Sequence, residues 1–149
     1  MMKQSQITYW CHEIIRSQAR TGGLYIDATM GKGNDTLMLC ELAGEAGEVF
    51  AFDIQEDDLA ETRARFKKKG IENAKLILDS HSNIDCYSIE KPKAVLFNLG
   101  YLPGGDHTIQ TKYGTTIEAI EKSLEILRAN GEDAYIIGEI IESEDKIIL

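Results

Sequence analysis

The feature that most constrains this chain is a series of short apolar segments, each ending in a polar residue and followed by a helical pattern. The segments LYIDA (24–28), EVFAFDI (48–54), AKLILDS (74–80) and KAVLFNL (93–99) have the length and composition of buried strands. Strands that alternate with helices predict βαβ units and a mostly parallel sheet with helices on both faces. The fold class that we expect is therefore α/β.

Periodicity and end signals predict the remaining elements. Helices are expected over 4–20, from Asp35 to Ala43, from Glu56 to Lys69, and from Thr115 or Thr116 to Asn130-Gly131, with a fifth strand over 133–140. In the first helix, Ile7, Cys11 and Ile14 share the apolar face, and His12 is expected on the surface. Asp35 is expected to cap the second helix.

The polar residues that end these strands predict one site. Right-handed crossovers and a reversal in winding direction place the ligand crevice of such a sheet at the carboxyl ends of its strands. The four strands bring Asp27, Asp53, Asp79 and Asn98 to that edge. Four polar endings in succession favour a binding site over coincidence.

The turn after the first strand, DATMGKGNDT (27–36), indicates a nucleoside-bearing cofactor. Its two glycines let the backbone approach a ligand and let a helix begin at once. Asp53 follows Gly33 by about 20 residues, the distance at which a carboxylate can accept both hydroxyls of a ribose. Nicotinamide dinucleotides and S-adenosylmethionine both use this arrangement.

Charge and glycine spacing favour S-adenosylmethionine over a dinucleotide. The G-x-G-x-x-G/A fingerprint is incomplete because Thr36 stands at its third position, which leaves a nicotinamide dehydrogenase as a distant alternative. A carboxylate at Asp27 would repel a pyrophosphate, whereas it can help to hold the ammonium of a methionine moiety. The other interpretation of Asp27 is a turn or helix-capping residue. The third strand end, DSH (79–81), could contact the adenine.

Composition indicates one globular domain over residues 1–149. Hydrophobic residues make up 43% and charged residues 28% of the 149, and no apolar run approaches the roughly 18 residues that span a bilayer. The N-terminus lacks a signal-peptide pattern, so we expect a cytoplasmic protein without membrane association. Cys11, Cys40 and Cys86 form no CxxC pair and are expected to be buried free thiols; the histidines show no metal-ligand spacing, so no metal is expected.

The net charge of −9 argues against a protein that binds nucleic acid over its whole surface. The charge is uneven, however, because a basic cluster (Arg63, Arg65 and Lys67 to Lys69) stands at the end of the third predicted helix. Cations suit the carboxyl end of a helix, so a solvated helix end is the first interpretation of the cluster. A local phosphate contact is the second.

The motifs DAT-x-G-x-G-x-DT, FDIQ, DSH and FNLGYLPGGD together resemble the YtqB-like class I methyltransferases, long labelled rRNA methylases. The resemblance runs from about Gln6 to Arg128, and FNLGYLPGGD (97–106) is its most specific part. It implies a Rossmann-like fold, S-adenosylmethionine as cofactor and an RNA substrate. Some members methylate the aminomethyl group of 5-aminomethyl-2-thiouridine at the wobble position of tRNA, which is the leading expectation; ribosomal RNA is the alternative target.

Carried over position by position, the resemblance assigns cofactor contacts at three strand ends and a methyl-transfer wall at the fourth. The cofactor residues are Asp27, Thr29, Gly31 and Gly33 with Asn34, Asp35 and Thr36 nearby, then Asp53 and Gln55, then Asp79, Ser80 and His81, and also Asn98. The catalytic wall is Asn98, Leu99 and Tyr101, and the substrate contacts are Gly100, Tyr101, Pro103, Gly104 and Asp106.

Methyl transfer from a sulfonium to an amine needs a neutral amine that gains positive charge as the bond forms, so hydrogen-bond acceptors suit the wall. The carboxamide oxygen of Asn98 and the carbonyl of Leu99 could accept from the amine, and Tyr101 could stack on a pyrimidine. A carboxylate in place of Asn98 would hold the amine as ammonium. The other interpretation of Asn98 is a turn amide bonded to its own backbone.

The end of the chain departs from the family pattern. Relatives continue through further strands, whereas residues 132–149 form a divergent tail, so we expect the C-terminal strands to be missing. An exposed sheet edge could then pair with a second copy in a homodimer. A further alternative is therefore a truncated protein that binds the cofactor without turnover. The family pattern leads us to expect lysine where this chain has His107, so the resemblance does not support a phosphate contact there.

Overall fold

The computed structural model describes residues 4–99 and 113–134. In chain order the elements are helix α1 (Gln4–Gln18), strand β1 (Leu24–Asp27), helix α2 (Asn34–Ala43), strand β2 (Glu48–Asp53), helix α3 (Glu56–Lys69), strand β3 (Ala74–Leu78), a 3-10 helix (His81–Cys86), strand β4 (Pro92–Leu96) and helix α4 (Tyr113–Ala129). The four predicted helices and the first four predicted strands are present. The strand predicted over 133–140 lies largely outside the described residues, and the 3-10 helix was not predicted.

The four strands form a parallel sheet in the order β3-β2-β1-β4. The chain winds outward from β1 to β3 and then reverses, which places β4 on the other side of β1. At the end of β1, Asp27 pairs with Ala51 of β2 and with Leu96 of β4. The carboxyl ends of β1 and β4 therefore meet at the reversal, where a doubly wound sheet binds its ligand. The predicted α/β, Rossmann-like architecture is confirmed.

Apolar side chains cover both faces of the sheet. β2 is buried at four consecutive positions, Val49 to Phe52, as expected for a central parallel strand. Val49 packs with Leu39 and Phe66, from α2 and α3, on one face. Phe52 packs with Ile84 of the 3-10 helix on the other face. No helix in the described ranges has the length and apolar character needed to cross a bilayer.

The inner face of α1 differs from the prediction. Cys11 and Ile14 are exposed, Ile14 by 63%, whereas Ile15 packs against the core and His12 is half-buried. The placement of His12 on the surface was therefore wrong. The physical reason is a contact between His12 and Asp35 of α2, which turns the helix so that the stripe containing His12 and Ile15 faces inward.

Two further sequence expectations are corrected. The N-cap of α2 is Gly33, and Asp35 stands inside the first turn, where its carboxylate bonds to other elements instead of capping the helix. All three cysteines are free, but only Cys40 is buried, and burial raises the pKa of its thiol to about 12. Cys11 and Cys86 are exposed because each lies on the outer face of its helix.

Candidate functional site

The structure brings the predicted polar residues together at the carboxyl edge of the sheet. Asp27 and Asp53 end β1 and β2, while Asp79 and Asn98 follow the ends of β3 and β4. Backbone hydrogen bonds continue the sheet past the strand ends: Asp79 N donates to Asp53 O over 2.9 Å, and Ala28 N donates to Leu96 O over 2.9 Å. The side chains therefore stand on a rigid edge.

The glycine turn is clamped between β2 and α3. Gly31 N donates to Asp53 Oδ2 over 2.7 Å, and the Thr62 hydroxyl of α3 donates to Gly31 O over 3.1 Å. Gly33 has a φ of +77°, and a Cβ at this position would lie 2.5 Å from Thr62 Cγ2. Only glycine fits here, because both the left-handed backbone and the close approach of α3 exclude a side chain.

Asp27 lies beneath this turn and is fully buried. Its Oδ1 accepts from Thr29 N over 3.0 Å and its Oδ2 accepts from the Thr36 hydroxyl over 2.6 Å. Burial raises the pKa of Asp27 to about 7, against the effect of the bonds from Thr36 and Thr29. The interpretation of Asp27 as a turn residue matches these contacts, and its contact with a methionine ammonium stays a prediction.

Asp53 has acceptor capacity beyond its contacts with the protein. Oδ1 accepts from Gln55 N over 2.9 Å, and Oδ2 accepts from Gly31 N. A carboxylate offers about four lone-pair positions, and Asp53 is only half-buried, so two hydroxyl donors can still reach it. Gln55 is the N-cap of α3 and is half-buried beside Asp53.

The third strand end is more strongly cross-linked than the sequence suggested. Asp79 accepts from Ser80 N over 2.7 Å, from Asn83 Nδ2 over 2.8 Å and from the Tyr87 hydroxyl over 2.8 Å. These bonds, led by the one from Asn83, lower the pKa of Asp79 below its ordinary value. Sequence reasoning missed Asn83 and Tyr87, because only the unpredicted 3-10 helix brings them back to the strand end.

His81 connects the third strand end to the first. Its Nδ1 donates to Ala28 O over 2.9 Å, which fixes the tautomer because a carbonyl can only accept. Its Nε2 is buried and has no hydrogen-bond partner among the described residues. The ring also makes an edge contact with Phe97, at 5.7 Å between centroids. His81 is therefore a fixed part of the wall, with its second ring nitrogen left over.

Asn98 is held at two points beside the glycine turn. Its backbone N donates to Thr29 Oγ1 over 2.8 Å, and its side-chain Nδ2 donates to Asp35 Oδ2 over 3.0 Å. Asp35 is buried, and its Oδ1 accepts from His12 Nε2 over 2.7 Å. The side chain of Asn98 thus bonds to a distant helix, which differs from the turn amide considered above.

Other predicted site residues stand apart from this arrangement or outside the described ranges. Asn34 is exposed and accepts from Arg65 of α3 over 2.7 Å, so its side chain faces that helix. Ser80 bonds to Ser82 at 2.8 Å and caps the 3-10 helix, while Leu99 is 51% exposed. The residues outside the described ranges are Gly100, Tyr101, Pro103, Gly104, Asp106 and His107.

Comparison with known proteins finds relatives over most of this chain. A family model described as "Putative rRNA methylase" matches residues 49–137, and the model of the ubiE/COQ5 methyltransferase family matches residues 1–92. A protein of Arabidopsis thaliana named "tRNA (mnm(5)s(2)U34)-methyltransferase, chloroplastic" is 34% identical, and the match covers 90% of this chain and 53% of that protein. The chain thus spans about half the length of this curated relative.

Solved bacterial structures share both sequence and fold with this chain. A Clostridium thermocellum protein described as a "putative rRNA-methylase" is 43% identical with a TM-score of 0.79, over 85% of this chain and 68% of that one. A Streptococcus mutans "putative methyltransferase", solved in complex with SAH, is 40% identical with a TM-score of 0.74, over the same shares of 85% and 68%. The chain therefore belongs to the family described as putative rRNA methylases, and it has the Rossmann-like fold of class I S-adenosylmethionine-dependent methyltransferases.

Proposed function

We propose that this chain is an S-adenosylmethionine-dependent RNA methyltransferase that N-methylates 5-aminomethyl-(2-thio)uridine at the wobble position of tRNA. The observation that carries the proposal is the Asn98 carboxamide, which Asp35 holds by its nitrogen beside the glycine turn. This leaves the carboxamide oxygen as the acceptor offered to an amine. Family membership and the name of the plant relative support the same chemistry.

The residues present fit the cofactor. Gly33 lets the turn lie directly against Thr62 of α3, where a Cβ would not fit, and so shapes the turn at which the methionine moiety would lie. Asp53 keeps lone pairs for the ribose hydroxyls, and His81 Nε2, which has no partner among the described residues, is a further polar atom in the same wall. The SAH complex of the Streptococcus mutans relative supports this assignment. When bound, S-adenosylmethionine supplies an activated methyl group on a sulfonium.

The third strand end is proposed to face the adenine. The Asp79 carboxylate is held ionised by three donors, and among the described residues its Oδ2 accepts only from Tyr87, so a lone pair of this oxygen remains for an exocyclic amine. Ser80 takes part indirectly, since its backbone N–H donates to Asp79 and its hydroxyl is engaged with Ser82. This division gives the base contacts to β3 and the ribose contacts to β2.

Asn98 is proposed to act on the substrate amine. Its carboxamide oxygen accepts from an amine N–H, which directs the lone pair of the nitrogen and stabilises the charge that develops there. An amide does this without the large rise in amine pKa that a carboxylate would cause, so the amine stays neutral. Leu99 is an exposed residue, and its carbonyl oxygen can add a second acceptor.

An RNA partner of some kind follows from the same proposal, and ribosomal RNA is the second candidate because the matching family is described by that name. Pairing of two copies through an open sheet edge and a cytoplasmic location stay predictions from the sequence. The roles of Gly100, Tyr101, Pro103, Gly104 and Asp106 as substrate contacts also stay predictions.

The decisive experiment is mass spectrometry of nucleosides from tRNA and from ribosomal RNA, each isolated from cells that lack the native activity and incubated with the protein and S-adenosylmethionine. We expect a gain of one methyl group on the wobble 5-aminomethyl-2-thiouridine. A methylated product only in ribosomal RNA would show that ribosomal RNA, and not tRNA, is the substrate. Cofactor binding without any product would identify a binding protein without turnover. Calorimetric binding of NAD without binding of S-adenosylmethionine would overturn the assignment of S-adenosylmethionine as the cofactor.

Two variants test the division of roles. Asn98→Ala should lower the methyl-transfer rate on the order of 100-fold, the effect of losing one oriented hydrogen-bond partner, and change cofactor affinity far less than Asp53→Ala does. Asp53→Ala should instead weaken cofactor binding on the order of 10-fold or more, because it removes the acceptor for the ribose hydroxyls. Calorimetry and single-turnover assays separate the two effects. Equal losses of cofactor affinity in both variants would contradict this assignment.

A further inference from the structure

We infer that His12 is a positioning residue for methyl transfer, which orients the Asn98 carboxamide through the Asp35 carboxylate. The inference rests on the proposed function of Asn98 and extends it to a residue of α1 that the sequence placed on the surface. It requires that the three side chains form one directed hydrogen-bond chain.

This hydrogen-bond chain joins three elements of the fold. His12 Nε2 lies 2.7 Å from Asp35 Oδ1, and Asn98 Nδ2 lies 3.0 Å from Asp35 Oδ2. α1 supplies the imidazole, the first turn of α2 the carboxylate, and the segment after β4 the amide. The carboxylate thus uses one oxygen for each neighbour, and neither neighbour is adjacent to it in sequence.

The directions of both bonds follow from chemistry. A carboxylate only accepts, so His12 must carry its proton on Nε2 and Asn98 must present its nitrogen. This holds for the neutral imidazole and for the imidazolium, since both can donate from Nε2. The Asn98 oxygen is consequently directed away from Asp35, which is the orientation that a substrate amine needs.

Because the contact between His12 and Asp35 is largely buried, its loss should change how the Asp35 carboxylate is held. The side chains of His12 and Asp35 are only 20% and 10% exposed, so water replaces a lost partner poorly. Without His12, one oxygen of the Asp35 carboxylate loses its donor, and the carboxylate can rotate toward new partners. Asn98 would then lose the fixed acceptor for its nitrogen, and its amide could adopt the reversed orientation.

Two replacements separate orientation from packing. His12→Gln keeps an N–H donor near the position of Nε2, whereas His12→Leu keeps similar bulk without a donor, and both residues suit a helix interior. We expect His12→Leu to lower kcat for methyl transfer on the order of 10- to 100-fold, with cofactor Kd and the KM for tRNA within about twofold of wild type. His12→Gln should restore kcat to within about threefold. The matched control, Glu13→Gln, removes only the exposed ion pair with Arg16 on the same helix and should leave kcat unchanged.

A readout without turnover keeps the inference testable if the proposed function fails. The side-chain amide of Asn98, assigned by its loss in Asn98→Ala, gives two proton signals in ¹H–¹⁵N spectra. In His12→Leu these signals should move and exchange faster with water, while His12→Gln and Glu13→Gln should leave them in place. Absence of RNA methylation in the wild type would sink the proposed function alone. Unmoved Asn98 signals in His12→Leu, full kcat in His12→Leu, or equal losses of kcat in both His12 variants would overturn the inference about His12.

Discussion

At the residue scale, Asp27 shows how one carboxylate can both shape a turn and respond to pH. It is fully buried, and in the part of the chain that the structure describes its two oxygens receive neutral donors, Thr29 N and the Thr36 hydroxyl. Desolvation therefore outweighs these bonds and raises the pKa of Asp27 to about 7. Neighbouring Asp35 and Asp53 add repulsion in the same direction. A positively charged ligand beside the turn would favour the ionised form.

The pKa shift predicts a stability that falls as pH rises. Because the pKa is raised from 3.8 to about 7 on folding, the folded state binds the Asp27 proton more tightly. This contribution is complete below pH 4 and is lost as pH rises through 7, by up to about 4 kcal/mol in the free energy of unfolding. Urea unfolding of wild type and Asp27→Asn at pH values from 4.5 to 7.5 measures it. Stability of the wild type relative to Asp27→Asn should decline with pH, and a constant difference would contradict the burial of the carboxylate.

At the element scale, the glycine turn depends on α3 as much as on its own backbone. Gly33→Ala would introduce a Cβ at a φ of +77° and 2.5 Å from Thr62 Cγ2. The left-handed backbone alone costs about 1–2 kcal/mol for alanine, and the contact adds overpacking. We expect Gly33→Ala to lower the free energy of unfolding by about 3 kcal/mol in urea titrations and to weaken cofactor binding.

Thr62→Ser provides the matched control for this substitution. It removes the Cγ2 that would clash and keeps the hydroxyl that donates to Gly31 O. Combined with Gly33→Ala, Thr62→Ser should restore the part of the unfolding free energy that is lost to the steric contact. The part that is lost to the left-handed backbone should remain. Purely additive effects of the two substitutions would show that α3 does not constrain the turn.

The elements themselves were predictable because their signals are local. α3 begins at Glu56 and ends at Lys69 as expected, with Gly70 in a left-handed conformation at its C-cap. The α1 face was not predictable, since both candidate stripes are apolar enough and a long-range contact with Asp35 decides between them. β4 ends at Leu96, before the predicted boundary, because Asn98 N donates to a side chain instead of continuing the ladder.

The candidate site likewise has features that local sequence predicts and contacts that it does not predict. The strand ends and the glycine turn could be located from sequence, because strand–turn–helix junctions carry their own composition. The contacts from His12, Asn83 and Tyr87 could not, since each joins a motif residue to a side chain that sequence spacing does not relate to it. Motifs predict which residues meet a ligand, and packing decides which residues hold them in place.

At the scale of the whole molecule, the sheet separates the edge that carries the candidate site from an opposite edge. The strand ends, the glycine turn and the start of each helix that follows a strand lie on the first edge. α3 starts there at Glu56 and runs for 14 residues, so Lys69 lies about 20 Å away, toward the amino ends of the strands. The basic cluster is thereby divided: Arg65 reaches back to Lys32 O and Asn34, whereas Lys67 to Lys69 are exposed at the far end.

This separation predicts that the lysines of the cluster stabilise α3 without contacting the RNA of the proposed reaction. Replacing Lys67, Lys68 and Lys69 together by glutamine should lower the free energy of unfolding by about 1 kcal/mol, because cations at the carboxyl end of a helix interact favourably with its dipole. Methyl-transfer kcat/KM and its dependence on salt concentration should stay unchanged. As the control near the site, Arg65→Gln removes a single charge and the bonds to Lys32 O and Asn34, and should weaken cofactor binding. If the triple replacement instead weakened tRNA binding tenfold and flattened its salt dependence, the far edge would be a phosphate-binding surface and the RNA would extend around the sheet.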